Sequence, residues 1–386
     1  MFGIKYFWQK VRFKLFRLAK RVILGPVAGT IPDHWIKQVA GGYFRPVMQQ
    51  HLMQHIEVLP PTLDSYTFPD RYPISFRRTK AFDARHVFVF QNVCVSPSSA
   101  VAYVPPNWVL EESAGALEKV SGWGRIMPEL LLGTYHLPVT EPVVVVPSAP
   151  FYHFIWEHLP AIIQALELEP EAHLLLPEPC PRYVSDALDL LLEGKWRNRA
   201  HFARKICQVH TLLVPQIETH SGFIHPAYPA LLQKAFGHSL EGVEPAAEKI
   251  YVSRRFAPGR HMRFEQELEN SLAAQGFAIL YLERMTLREQ FQAFRRASVV
   301  VAPHGAGLSH LHFAASGSYV LECFPFGYFN DCYARLSVQC GHTYDYVVCR
   351  PDSAWEGGAM PVESIVVRVN ERMRKAERSE TATLIG

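Results

Sequence analysis

The chain has 386 residues, 48% of them hydrophobic and 19% charged, which is the composition of a globular core and excludes a disordered chain. Its length suits about two domains, and a formal net charge of +3 gives no whole-molecule attraction to nucleic acid. The charge is uneven, however: residues 1–32 carry seven Lys or Arg and no acid, against 32 basic and 36 acidic residues in the remainder.

The N-terminal segment predicts an amphipathic helix. Ile4, Trp8, Val11, Leu15, Leu18 and Val22 recur at spacings of three and four, with Lys and Arg between them, until Gly25-Pro26 stops the pattern. A basic helix with a Trp/Leu face suits an anionic membrane surface, so residues 1–24 form a candidate membrane contact. Packing of the same face on the protein's own body is the alternative. Lys and Arg interrupt the N-terminus too often for a signal peptide, and no stretch reaches the roughly 20 apolar residues of a spanning helix. A cytoplasmic protein, soluble or peripheral on the inner face of the cell membrane, is expected. The seven Cys are odd in number, form no CxxC and sit partly in apolar runs, which points to buried, reduced thiols.

Residues 33–140 show only short β-like pieces, such as His86–Phe90 and Ala100–Val104, between turns. From Val143 a rhythm sets in: a strand at Val143–Val146, a helix over 152–168, a strand at Leu174–Leu176, a helix over 182–192 and a strand at His210–Val214. After a linker over 241–248 it restarts. Strands are expected at Ile250–Val252, Ala278–Leu282, Ser298–Ala302, Tyr319–Cys323 and Tyr344–Val348. Helices are expected over 265–275, from a Thr286-x-x-Glu289 capping box, and over 329–339. Strands alternating with helices predict parallel sheets, and paired β-α-β domains hold ligands in the cleft at the strands' carboxyl ends.

Three motifs sit at such ends. Val299–Ala302 runs into Pro303-His304-Gly305-Ala306-Gly307, a turn whose glycines would bring backbone amides and a helix start close to an anion. Ser253-Arg254-Arg255 follows a strand directly, and adjacent arginines can clamp a diphosphate. Glu322 lies within an apolar strand, so its carboxylate needs a partner, either ribose hydroxyls or an ion pair. In the first half, His153 and Glu157 are four apart at a helix start. That places an imidazole and a carboxylate on one face, where either could take a proton from a hydroxyl or where the two could simply pair. There is no GxGxxG, no GxxxxGK[ST], no G-x-S-x-G, and no D-x-D among nine Asp, so neither a cofactor nor a metal site is expected.

The order of these motifs resembles glycosyltransferase family 61. It is carried by Ser253-Arg254-Arg255, Arg260 to Glu269, Gly276-Phe277, Leu287-x-Glu289-Gln290, Ala297-x-Val299-Val300, His304 to Leu308, Phe313-Ala314, Gly317-Ser318 and Glu322, with Tyr152 to Pro160 as a first-lobe element. The chain departs at Phe264-Glu265, where the family often has Asn-Glu. The resemblance implies an α/β fold of two Rossmann-like lobes of the GT-B type and an inverting, metal-independent transfer. A nucleotide-sugar donor would give its sugar to a hydroxyl of a glycan or lipid-linked acceptor, in surface polysaccharide biosynthesis. Ser253, Arg254, Arg255, His304, Gly305, Ala306, Gly307 and Glu322 would then hold the donor, and His153 or Glu157 would act as the base. The expected organisation is the basic helix over 1–32, an acceptor-side lobe over 33–240, a nucleotide-sugar lobe over 249–350 and a C-terminal tail over 351–386. A nucleotide-sugar epimerase of similar fold and a non-catalytic sugar-binding protein are the alternatives.

Overall fold

The computed structural model describes residues 51–66, 79–104, 108–109, 113, 129, 132–217, 222–257, 259–352 and 357–385. The basic helix expected over 1–32, with its membrane contact, lies outside them. The first half contributes β1 (Leu52–Leu59), β2 (Thr62–Ser65), β3 (Thr79–Phe82), β4 (Arg85–Val95), β5 (Ala102–Val104), β6 (Trp108–Val109), β7 (Thr134–His136), β8 (Val143–Val145), β9 (His173–Pro177), β10 (Ala200–Ala203) and β11 (Ile206–Pro215). Apart from the β2–β3 ladder, these build one nine-stranded sheet, ordered β10-β9-β8-β11-β4-β5-β6 with β1 on β4 and β7 on β11.

The expectation of a parallel sheet holds here from β10 to β11 and for β7 on β11. β4 pairs antiparallel with β11, from Val87 opposite Pro215 to Val95 opposite Cys207. β4 precedes the β-α rhythm, and the chain between it and β11 passes through several strands and helices, so no single β-α-β crossover imposes a parallel direction. Its Val87, Phe90, Val93 and Val95 are fully buried, which makes a segment of weak local signal a central strand.

The helices of this half are α1 (Phe151–His153), α2 (Leu159–Leu168), α3 (Arg182–Leu192) and α4 (Tyr228–Phe236). α1 and α2 are one continuous rod, but its turn Phe154–His158 is π-helical. A single continuous α-helix over 152–168 is therefore corrected: the rod winds wider over Phe154–His158, the turn that carries Glu157, before α2.

The second half runs β12 (Glu248–Val252), α5 (Glu265–Ala273), β13 (Phe277–Leu280), α6 (Leu287–Arg296), β14 (Ala297–Pro303), a 3₁₀ helix at Ala306–Phe313, β15 (Tyr319–Phe324), α7 (Cys332–Gln339), β16 (Thr343–Val348) and α8 (Val362–Ile385). Its five strands are all parallel, in the order β13-β12-β14-β15-β16. Chain direction across the sheet reverses between β12 and β14, and ligands of open α/β sheets bind outside that switch point. The Thr286 capping box forms as expected, with Thr286 accepting from the Glu289 amide and Glu289 reaching back.

Two boundaries differ from expectation. The helix expected from 329 starts at Cys332, leaving Phe329 in an exposed loop. The stretch read as a C-terminal tail forms the 24-residue α8, whose Val362, Ile365 and Val369 are buried with Leu268 and Leu272 of α5. Both sheets belong to one compact unit, residues 53–386. A single apolar core runs from Val144, Leu174 and Trp156 through Phe236 to Phe291, Val300 and Leu311. No helix among the described residues is long and apolar enough to cross a membrane.

Candidate functional site

A cleft of about 520 Å³ opens at the switch point. Its floor is Val252-Ser253-Arg254 after β12 and Pro303 with Gly305 to Gly307 after β14; Leu282 to Met285 close one side, and Phe151, Arg182 and Tyr183 of the first half close the other.

The end of β12 is fixed by buried carboxylates on α5. Glu265 Oε1 accepts the Arg254 amide (2.6 Å) and the Tyr251 hydroxyl (3.1 Å). Ser253 Oγ donates to Glu269 (2.7 Å) and accepts the Arg255 amide (3.0 Å). Burial raises the Glu265 carboxyl above its usual range, against the hydrogen bonds that lower it. Ser253 thus tethers the strand end to α5.

The two arginines part company. Arg254 lines the cleft, donates Nη2 to the Gly259 carbonyl (2.8 Å), and has a buried Nε with no hydrogen-bond partner among the described residues. Burial, then the neighbouring Arg260, pushes its guanidinium below the ordinary value, although an arginine still keeps its charge. Arg255 turns outward to Glu269 Oε2 (3.1 Å) and lies over the rings of Phe256 and Tyr281. The two arginines expected to form a double clamp are not brought together in the cleft wall: the chain turns after β12, the Ala257 amide donating to the Arg254 carbonyl (2.9 Å), and Arg255 is not among the residues that line the cleft. Arg260 also lines the cleft, so Arg254, Arg260 and Arg182 place three arginines in its walls.

The loop after β14 is built around Arg254. A Cβ on Gly305 would collide with the Arg254 guanidinium, and one on Gly307 would stand 2.9 Å from both Val252 Cγ1 and Leu282 Cδ1. Backbone amides at 305–307 therefore lie beside a cation at the start of the 3₁₀ helix, which is how a backbone holds an anion.

His304 is buried and bonds through Nδ1 to Glu322. The other Glu322 oxygen accepts from the Tyr344 hydroxyl (2.5 Å). Glu322 is fully buried, so it meets its need for a partner inside the protein and orients His304 from behind, as a carboxylate fixes an imidazole tautomer. Tyr344 was not read from the sequence. The register offered a signal: Val320 pairs with Tyr344, and positions 320 and 322 share a face.

On the helical rod that starts at Phe151, His153 Nδ1 pairs with Glu157 Oε2 (2.9 Å). The imidazole is about one-third exposed and the carboxylate 7% exposed. Glu157 Oε1 is buried with no hydrogen-bond partner among the described residues. Tyr333 joins the two histidines' surroundings: its ring lies 5.3 Å from that of His304 and 5.7 Å from that of Tyr152, which itself lies 5.6 Å from His153.

Residues 151–321 match the family model described as Glycosyltransferase 61. The chain carries a glycosyltransferase 61 domain. The match starts at Phe151, the cleft's first-half wall, and runs through Arg254 and the Gly305–Gly307 loop to β15, so the glycosyltransferase domain takes in both sides of the cleft. No curated protein matches the chain.

Proposed function

We propose that the domain binds a nucleotide-sugar with its diphosphate on Arg254, Arg260 and the amides of Gly305, Ala306 and Gly307, and transfers the sugar with inversion to an acceptor hydroxyl. The observation that carries this reading is Arg254, a half-buried guanidinium with no carboxylate partner among the described residues, set at the switch point against a glycine loop. A sheltered guanidinium that Glu265 and Glu283 influence without forming a salt bridge to it favours a bound polyanion. The GT-B arrangement accords with two sheets sharing this cleft.

In the transfer, the acceptor oxygen forms the new bond to the anomeric carbon as the bond to the diphosphate breaks. Arg254, the loop amides and His304 stabilise the negative charge that develops on the leaving group. The absence of a D-x-D pair and the presence of these cations support a reaction without a metal. His153 takes the proton of the acceptor hydroxyl. Glu157 holds the ring in place and stabilises the imidazolium that forms. A glycan or lipid-linked acceptor in surface polysaccharide assembly fits a basic segment at residues 1–24 that would bring the enzyme to an anionic membrane. Flotation with anionic vesicles, with and without that segment, tests this.

Calorimetric titration with UDP, GDP and CDP tests the donor site. Arg254→Ala should weaken the preferred nucleotide by about 1.5–3 kcal/mol and Arg255→Ala by much less; the reverse order would place the diphosphate elsewhere. Incubation with a panel of nucleotide-sugars, in EDTA, with and without acceptor glycans, tests the reaction. Transfer that requires an acceptor and survives EDTA is expected. An epimerised sugar released without acceptor, or binding without turnover, would replace the reading.

A further inference from the structure

The carboxyl end of β15 carries a feature that the donor site does not use. Pro325-Phe326-Gly327-Tyr328 forms a tight turn in which the Tyr328 amide donates to the Pro325 carbonyl (3.2 Å). Gly327 stands at φ +74°, the conformation that the third position of a type II turn demands. The turn is braced from outside: the Phe326 amide donates to the Gly357 carbonyl (3.1 Å), and a Cβ on Gly358 would stand 3.2 Å from Phe326 Cβ.

On this rigid turn three aromatic rings face solvent. Phe326 is 56% exposed, Tyr328 43% and Phe329 42%. Three exposed rings within four residues are a concentrated apolar surface that a soluble face ordinarily avoids. Their place is specific. Tyr328 lies 5.2 Å, ring to ring, from His304. Phe329 rests on Phe324 at 5.0 Å. Along the sheet, Arg254 follows β12, His304 follows β14 and the turn follows β15, so the turn lies on the side of β14 away from Arg254, with Tyr328 beside His304.

We propose that Phe326, Tyr328 and Phe329 form a stacking subsite for a pyranose ring of the acceptor glycan. A pyranose presents one face of C–H bonds whose hydrogens carry partial positive charge, and that face packs on the electron-rich face of an aromatic ring. Rings already fixed by a braced turn lose little freedom on binding, so the contact is gained at low entropic cost. The position next to His304 sets a bound sugar hydroxyl beside the donor carbon and not on the phosphates. This inference rests on the transferase reading above and deepens it by locating the acceptor.

The test uses the full chain, an array of neutral and acidic oligosaccharides, calorimetry with the nucleoside diphosphate that binds best, and flotation with phosphatidylcholine/phosphatidylglycerol vesicles. Phe326→Ala is compared with Phe326→Trp, which keeps a ring, and with Phe329→Ala as a second removal. Wild type should retain a subset of oligosaccharides. Both alanine variants should retain them at least tenfold less and Phe326→Trp should hold them, with nucleotide affinity unchanged within twofold. Equal retention by the alanine variants, no oligosaccharide retained by wild type, or a loss seen only in vesicle flotation would overturn the subsite. If no nucleoside diphosphate binds while the oligosaccharide pattern still depends on the rings, the donor reading falls and the stacking subsite stands.

Discussion

Arg254 occupies the space that a side chain at Gly305 would need. The backbone at Gly305 is extended, with φ 169°, so any residue could adopt it. The glycine is required by the close approach and not by conformation. Gly305→Ala should therefore displace the guanidinium with little harm to the fold. Nucleoside diphosphate affinity should fall about tenfold, about 1.4 kcal/mol, with the unfolding midpoint in urea nearly unchanged. A large loss of stability would show that the loop, and not the arginine, yields to the methyl group.

Gly307 makes the contrasting case. Its added Cβ meets Val252 and Leu282 at 2.9 Å, in the packed floor of the cleft. Gly307→Ala should cost about 1–3 kcal/mol of stability through overpacking, read by equilibrium unfolding. If it unfolds like wild type, the floor is looser than these contacts imply.

His153 and Glu157 differ in exposure, the imidazole reaching solvent and the carboxylate being buried, which suits the proposed division of acid–base work between them. His153→Ala is expected to lower the transfer rate by roughly 10²–10⁴-fold, while donor affinity changes by less than about threefold, under ~0.7 kcal/mol. Glu157→Gln should lower the rate less and also leave donor binding intact. Loss of rate and donor affinity together would move the pair to the donor side.

Acid should loosen the seam between the halves. His310 is fully buried against Phe151, Phe291 and Phe294, and burial pushes its imidazole down to about 3. His312, packed on Trp156, is pushed down too, by burial first and then by His310. Both have ordinary values near 6.5 in the unfolded chain. Between that value and 3 the unfolded state binds more protons, so stability is complete above about 6.5 and declines as pH falls. Urea unfolding should show a slope of up to ~1.4 kcal/mol per pH unit for each such imidazole. His310→Gln should make the slope between pH 6 and 4.5 shallower; an unchanged slope would assign the acid sensitivity to other groups.

Phe264 explains a departure in the sequence. It caps α5 at φ 63° and ψ 15°, a left-handed conformation that costs a bulky residue about 1–2 kcal/mol and that asparagine adopts readily. The Arg263 guanidinium over its ring, at 4.8 Å, offsets part of this. Phe264→Asn should raise stability by about 1 kcal/mol, through relieved backbone and a new helix cap. Phe264→Ala keeps the conformation and loses the stacking, so it should lower stability. Equal effects of the two would mean that the backbone cost is negligible here.

The second half of the chain was legible in the sequence because each strand, turn and helix there follows its neighbour, and the capping box and glycine loop are local signals. Of the candidate site, Arg254, His304 and the 305–307 loop were legible as residues at the carboxyl ends of β12 and β14. What escaped depends on distant contacts. β4 becomes a central strand only through β11. Glu322 finds its partners in His304 and Tyr344 on two neighbouring elements. The direction of Arg255 follows from the geometry after β12, which residue type does not reveal. The π turn at Phe154–His158 has no composition of its own, and α8 hid its buried Val362, Ile365 and Val369 among charges.

The core that runs unbroken from Val144 to Val300 has a consequence for engineering. The five-stranded sheet is not a portable cassette. A chimera that joins residues 249–385 to a relative's first half would have to match the surfaces around Trp156, Phe236, Phe291 and Leu311 as closely as any interior layer, or leave them wet. Altering donor choice by residue changes within the cleft keeps that layer intact. Exchanging whole halves gives up solubility in the attempt to change specificity, and the recipient would show it first as aggregation during expression, before any assay of sugar transfer.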